Sequence, residues 1–136
     1  MWEAGAALQP VEKSITQERV DDYAEASGDF NPIHLDHDFA AGTRFGRTIA
    51  HGMLVAASIS EMMTSSFGLD WHRSGRMKLR FKAPVFPGDT ATAFGEVKAV
   101  SDAEFDREVV CTVGVRRQTG EEAISGEARV IVRNES

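Results

Sequence analysis

Cysteine is almost missing from these 136 residues: Cys111 is the only one, so no intramolecular disulfide framework can form. A chain held without staples suits a reducing compartment. Cys111 lies in a Val-rich run and reads as a buried thiol rather than a reactive one. Long hydrophobic runs are missing too. The longest, Met53 to Ile59, is far too short to cross a bilayer. The first nine residues carry Glu3 and no early Lys or Arg, so no signal peptide is visible. An excess of positive charge is also lacking. With 15 Lys and Arg against 21 Asp and Glu the net charge is −6, which argues against nucleic acid as a partner. There is no G-x-S-x-G elbow, no phosphate-binding glycine loop and no C-x-x-C pair. Internal repeats, low-complexity tracts and Gly/Ser linkers are absent as well. What is left reads as one soluble, cytosolic domain over residues 1–136, large enough to bury roughly two thirds of its unfolded surface.

The pattern changes character near residue 74, from helical spacing to alternation. Val11 to Ile15 predicts a short strand. Ser14 and Gln17 then suggest a capping box opening a helix that carries Val20, Tyr23 and Ala24 and ends at Gly28. Asp36 or His37 is expected to cap one further turn through Ala41, and Gly42 to Thr48 reads as loop. From Gly52 to Phe67 the apolar residues cover most of the circumference, as in a buried helix, and Gly68 stops it. Beyond it Met77, Leu79 and Phe81 alternate with Arg76, Lys78, Arg80 and Lys82, the signature of a strand. Pro84 to Asp89 makes a turn. Strands follow at about 89–100, 105–117 and 122–132, joined by hairpin-length connections that imply antiparallel neighbours. The sum is an α+β fold, an antiparallel sheet around one long helix.

The segment Ala26-Ser27-Gly28-Asp29-Phe30-Asn31-Pro32-Ile33-His34-Leu35-Asp36 holds the chemistry. Pro32 has no N–H and drives Asn31 out of the helical region, so no continuous helix runs through it. Asp29 and His34 therefore occupy a shaped loop where a carboxylate and an imidazole can converge on one small molecule. That pair is what proton transfer near neutral pH requires. The plainer reading is that Asp29 caps the following turn while His34 bonds a loop carbonyl. His34, Asp36, His37 and Asp38 are dense enough to raise the question of a metal, but consecutive residues diverge and no second ligand cluster is evident, so no metal is expected. Arg73, Arg76, Lys78, Arg80 and Lys82 form a basic stretch, read as a solvated strand face or as a contact for phosphates.

The string Ser27 to Asp36 resembles the signature of the R-specific enoyl-CoA hydratases, the MaoC-like dehydratase family. Phe39-Ala40 with Phe45-Gly46-Arg47-Thr48-Ile49-Ala50-His51-Gly52-Met53-Leu54 is similar to that family's entry into its central helix. Phe81-Lys82-Ala83-Pro84-Val85-Phe86-Pro87-Gly88-Asp89 is similar to its strand-turn after the helix. The resemblance runs unbroken from about Tyr23 to Asp89. It implies the hotdog fold and a homodimer or dimer of dimers. It implies reversible syn addition of water to a trans-2-enoyl thioester of CoA or an acyl carrier protein, without a cofactor. By motif position Asp29 and His34 would hold the reacting water, with Asp29 the favoured base. Gly52, at a helix N-terminus, would offer its N–H to the thioester oxygen. Asn31 would fix the loop through its amide and Ser60 would line the pocket floor, or merely pack the helix; both, with His51, are the expected substrate-binding residues. The rivals are a hotdog thioesterase, for which Glu61 on the central helix would be the carboxylate, and a non-catalytic acyl-thioester binder.

Overall fold

In the computed structural model, which describes residues 2–133, the elements follow the expected order. They are β1 (Val11–Ser14), α1 (Gln17–Ser27), α2 (Pro32–Leu35), α3 (His37–Ala41), α4 (Gly52–Phe67), α5 (Leu69–Ser74), β2 (Arg76–Phe81), β3 (Thr90–Asp102), β4 (Asp106–Arg117) and β5 (Glu122–Arg133). The five strands form one sheet in the order β1-β3-β4-β5-β2, antiparallel throughout. Short hairpins join β3 to β4 and β4 to β5. The long excursion between β1 and β2 carries every helix, so α4 lies across the sheet against β1, β3, β4 and β5.

Alternation places Ala91, Ala93, Val97, Val109, Cys111, Val113, Val115, Ile124, Ala128 and Val130 in the core, where α4 contributes Val55, Ala56, Ile59, Met62, Met63 and Phe67. Burial pushes the Cys111 thiol up to about 11, which leaves it inert. The helix is not covered all round, however: Met53 is 63% exposed and Ala57 is open as well. Met77 and Phe81 share the face of half-buried Leu79 but are themselves exposed, because β2 is an edge strand with a neighbour on one side only.

Two local expectations need correction. Ser14 does not cap α1. It completes β1, where it faces Thr90, and the cap passes to Thr16, whose hydroxyl accepts the Arg19 N–H at 3.1 Å. The chain must stay extended through Ile15, which is buried and whose N–H reaches the Asp89 carbonyl, before it can turn. The structure also inserts α5 between Gly68 and Gly75, with Trp71 buried against α4. As expected, Gly28 ends α1 with φ 79° and Asp36 caps α3 through the Phe39 N–H.

Candidate active site

Local chain chemistry shapes the loop first. Gly28 turns the chain out of α1 in the left-handed conformation. Asp29 Oδ1 then accepts the Asn31 N–H at 3.2 Å, and the Asn31 side chain accepts the Ile33 N–H at 3.1 Å, capping α2 with Pro32 in its first turn. Asn31 thus fixes the loop, as expected, and its amide oxygen is committed to the backbone.

α2 carries His34 inward, where it is 9% exposed. His34 Nδ1 lies 2.8 Å from the Ile49 carbonyl. A carbonyl only accepts, so Nδ1 carries the hydrogen and Nε2 presents a bare lone pair. The plain and the catalytic readings of this pair therefore coincide. Each residue spends one polar atom on holding its own position, Oδ1 of Asp29 and Nδ1 of His34. Each keeps one acceptor with no protein donor among the described residues.

His51 joins them. It is the residue before α4, 2% exposed, with its ring stacked on that of His34 at 3.8 Å and 26°. Ligand-type atoms of Asp29, His34 and His51 all lie within 4.8 Å of one another. Such a set could in principle hold a cation. The stacked rings hold their in-plane lone pairs in two near-parallel planes, however, and one nitrogen of each already faces a carbonyl, that of Ile49 for His34 and that of Asp29 for His51. The His34, Asp36, His37, Asp38 run does not gather either: the side chain of Asp36 is engaged in capping.

Gly52 opens α4, and among the described residues no acceptor lies within reach of its N–H. The helix N-terminus makes that N–H a ready donor to an anion. The Phe81 ring lies beside it: a Cβ built on Gly52 would meet Phe81 Cε1 at 3.0 Å. Phe81 and Gly52 border two cavities. One, of about 250 Å³, is lined by Tyr23, Ser27, Asp29 and His51; the other, of about 280 Å³, by apolar residues including Phe45, Ile49, Val55 and Ile124, with Arg44 and Lys82 among its walls.

Ser60, an expected site residue, and Glu61, the carboxylate of the rival thioesterase reading, lie elsewhere. Ser60 is eight residues along α4 from Gly52, about 12 Å of helix, and its hydroxyl takes the Trp71 indole N–H at 3.1 Å. Glu61 pairs with Lys13 at 2.9 Å beside a separate groove that none of the cluster residues line. Gln17, read in the sequence only as a capping-box partner, has a role that reading missed. Its amide donates to the His34 carbonyl at 2.9 Å and accepts from the Thr48 hydroxyl at 2.9 Å, lacing α1 to α2 and to the approach to α4. A lone glutamine on a helix gives no sequence signal of such a cross-link.

The approach to α4 is also held from the other side. The Val85 carbonyl accepts the Ala50 N–H at 2.8 Å, and the Ile33 carbonyl accepts that of Ile49 at 3.2 Å. Val85 belongs to the turn anchored by Asp89, which accepts from Arg117 Nε at 2.8 Å, Gln118 at 2.8 Å and the Phe86 N–H at 2.8 Å. Burial alone would raise the Asp89 carboxyl, but these hydrogen bonds and the Arg117 charge outweigh it and hold the group below the usual carboxylate range.

The chain is similar over its whole fold to proteins of one family. The profile described as MaoC like domain matches residues 3–120, and the chain belongs to that family. It is 40% identical over 109 residues, 79% of either chain, to the (R)-specific enoyl-CoA hydratase of Aeromonas caviae. It is 36% identical to the 3-hydroxybutyryl-CoA dehydratase of Methylorubrum extorquens, over 90% of this chain and 76% of that one. The solved structure of the A. caviae (R)-hydratase superposes with a TM-score of 0.84 at 36% identity, covering 96% of this chain and 97% of that one. The sheet wrapped on α4 is the hotdog fold.

Proposed function

We propose that this chain is an (R)-specific enoyl-thioester hydratase, equally a (3R)-hydroxyacyl-thioester dehydratase, and that Asp29, His34 and the Gly52 N–H do its chemistry. The observation that carries the site is the pair of unengaged acceptors, Asp29 Oδ2 and His34 Nε2, on side chains whose ligand-type atoms lie within 4.8 Å of one another. A water between them donates one hydrogen to each and turns its own lone pair toward the alkene. As oxygen bonds to Cβ, Asp29 takes one proton and the π electrons move onto the thioester. The Gly52 N–H at the helix start meets the charge growing on the thioester oxygen. Asp29 then returns its proton to Cα from the face the water attacked, so addition is syn and the carboxylate is regenerated. Carboxylate, imidazole and backbone N–H suffice for every step, so no metal or cofactor takes part.

The apolar cavity on the far side of Phe81 suits the acyl chain, and the carrier is CoA or an acyl carrier protein, whose phosphates Arg44 and Lys82 can meet. Among the described residues no helix is long and apolar enough to cross a membrane, which supports a cytoplasmic enzyme. The active unit is a homodimer or a dimer of dimers. The test is a hydration assay over a range of trans-2-enoyl-CoA chain lengths with chiral product analysis. Loss of enoyl absorbance with a (3R)-hydroxyacyl product is expected. Release of free CoA thiol instead would make the chain a thioesterase, and no turnover of any chain length would make it a binder.

A further inference from the structure

His51 breaks the local rules of its position. The residue just before a helix is most often Ser, Thr, Asp or Asn, whose side chain accepts an orphan N–H. His51 makes no such bond at the start of the longest helix in the molecule. Its Nδ1 is buried without a hydrogen-bond partner, an arrangement that works against stability. Departures of this kind are expected where function overrides folding.

What the ring does instead is specific. Its Nε2 lies 3.0 Å from the Asp29 main-chain carbonyl, so Nε2 carries the hydrogen and donates it. One face stacks on His34 at 3.8 Å, and Tyr23 packs against the ring at 4.8 Å and 57°. His51 therefore touches both halves of the acid–base pair, the backbone of one and the ring of the other. Neither of its nitrogens is free for a ligand: one is engaged and the other is buried.

We infer that His51 is a positioning residue for the hydration reaction, rather than a substrate contact. It clamps the Asp29 carbonyl through Nε2–H and supports the His34 ring by stacking. The separation of Asp29 Oδ2 and His34 Nε2 is thereby set before substrate arrives. The clamp is built from the segment that starts α4, so the same residues that place the Gly52 N–H also place the pair. This inference rests on the reading of Asp29 and His34 as the catalytic pair.

The test is a comparison of His51→Phe and His51→Gln, each made in the wild-type and in the Asp29→Ala background. Phenylalanine keeps the stack and removes the orphan nitrogen, but loses the bond to Asp29. It is expected to leave the melting temperature unchanged while kcat for enoyl-CoA hydration falls by about 10- to 100-fold, with KM altered by less than about threefold. Glutamine returns an N–H of similar reach and is expected to recover most of that loss. It is read directly against wild type should His51→Phe not fold. In the Asp29→Ala background neither substitution is expected to cost more than about twofold, because the water is held by the pair and half of that pair is already gone.

A His51→Phe enzyme with full kcat would overturn the inference. So would a His51→Gln enzyme no better than His51→Phe, or as poor as Asp29→Ala where the Phe variant does not fold. An equal loss in both backgrounds would mark His51 as merely structural. Failure of the underlying reading shows separately, as near-wild-type hydration by Asp29→Ala alone.

Discussion

Asp29 and His34 each divide their polar atoms between shape and chemistry. Oδ1 closes a turn onto Asn31 and Nδ1 fixes the ring on Ile49, leaving Oδ2 and Nε2 for the water. Asp29→Ala and His34→Ala are each expected to lower kcat by about 10²–10⁴, the usual worth of general acid–base catalysis. Because both hold one water, the double variant is expected to be little worse than the poorer single one, which a steady-state comparison of the three enzymes checks. Asp29→Asn keeps an oxygen for the Asn31 N–H, so it separates the two duties: its melting temperature is expected to match wild type while its kcat falls with that of Asp29→Ala. Gly52 answers to the same logic from the backbone. A single methyl at that position meets the Phe81 ring at 3.0 Å, and that ring is 52% exposed and free to shift. Gly52→Ala is therefore expected to fold normally and lose part of its kcat. Gly52→Val, whose branches intrude where the thioester approaches, is expected to lose about 10²–10³ or more with cooperative melting retained. Activity that tracks melting temperature in both variants would make Gly52 only a turn residue.

The elements matter to the site through their ends. The start of α4 is pinned by carbonyls of α2 and of the 84–89 turn, and that turn is pinned by Asp89 to Arg117 and Gln118. Asp89 is 6% exposed, and Arg117 is largely covered by the Phe86 ring and Glu121. Asp89→Asn leaves Arg117 with Glu121 alone and is expected to cost about 1.5–3 kcal/mol in urea unfolding at pH 7. The sign of the pH dependence follows from the lowered carboxyl. Its stabilisation is complete above the ordinary unfolded value of about 3.9 and is lost as pH falls through the lower folded value. The gap between wild type and Asp89→Asn is thus expected to shrink between pH 4 and pH 2, and a constant gap would remove the charge from the explanation. Much at this level was legible in the chain. Gly28, Asp36 and Gly68 announce where helices end or begin, and period-two alternation marks the three long strands. The Asn31-Pro32 step shows in the sequence that no continuous helix joins Asp29 to His34, but not that Pro32 opens the short helix α2 that carries His34. Nor could the sequence show the Gln17 cross-link, the shift of the cap from Ser14 to Thr16, or the His51 stack. Each of these depends on which distant segment packs alongside, and α5 is too short for its six residues to develop a period.

The molecule as a whole is unfinished at one edge. β3, β4 and β5 have neighbours on both sides and β1 is a four-residue edge, but β2 offers a six-residue row of unpaired backbone groups. Met53, Met77 and Phe81, exposed at 63%, 37% and 52%, lie at or near that edge and the site cavity. Exposed edges invite pairing with another strand, and a two-fold axis lets β2 pair with its own copy so that two sheets become one. A homodimer is therefore expected by light scattering at micromolar concentration, with a melting temperature that rises with protein concentration. Its salt dependence is argued from the same strand. Arg76, Lys78 and Arg80 alternate along β2, Lys82 follows just after it, and all four are exposed. A two-fold axis perpendicular to the sheet brings the two basic rows together on one face, where like charges repel. Screening relieves that repulsion over a Debye length of about 10 Å at 0.1 M salt. The dimer is accordingly expected to tighten as salt rises, and Lys78→Glu to tighten it at low salt while flattening the dependence. Association that weakens with salt would place the interface on oppositely charged surfaces elsewhere, and a clean monomer at all salt concentrations would leave β2 as a true free edge.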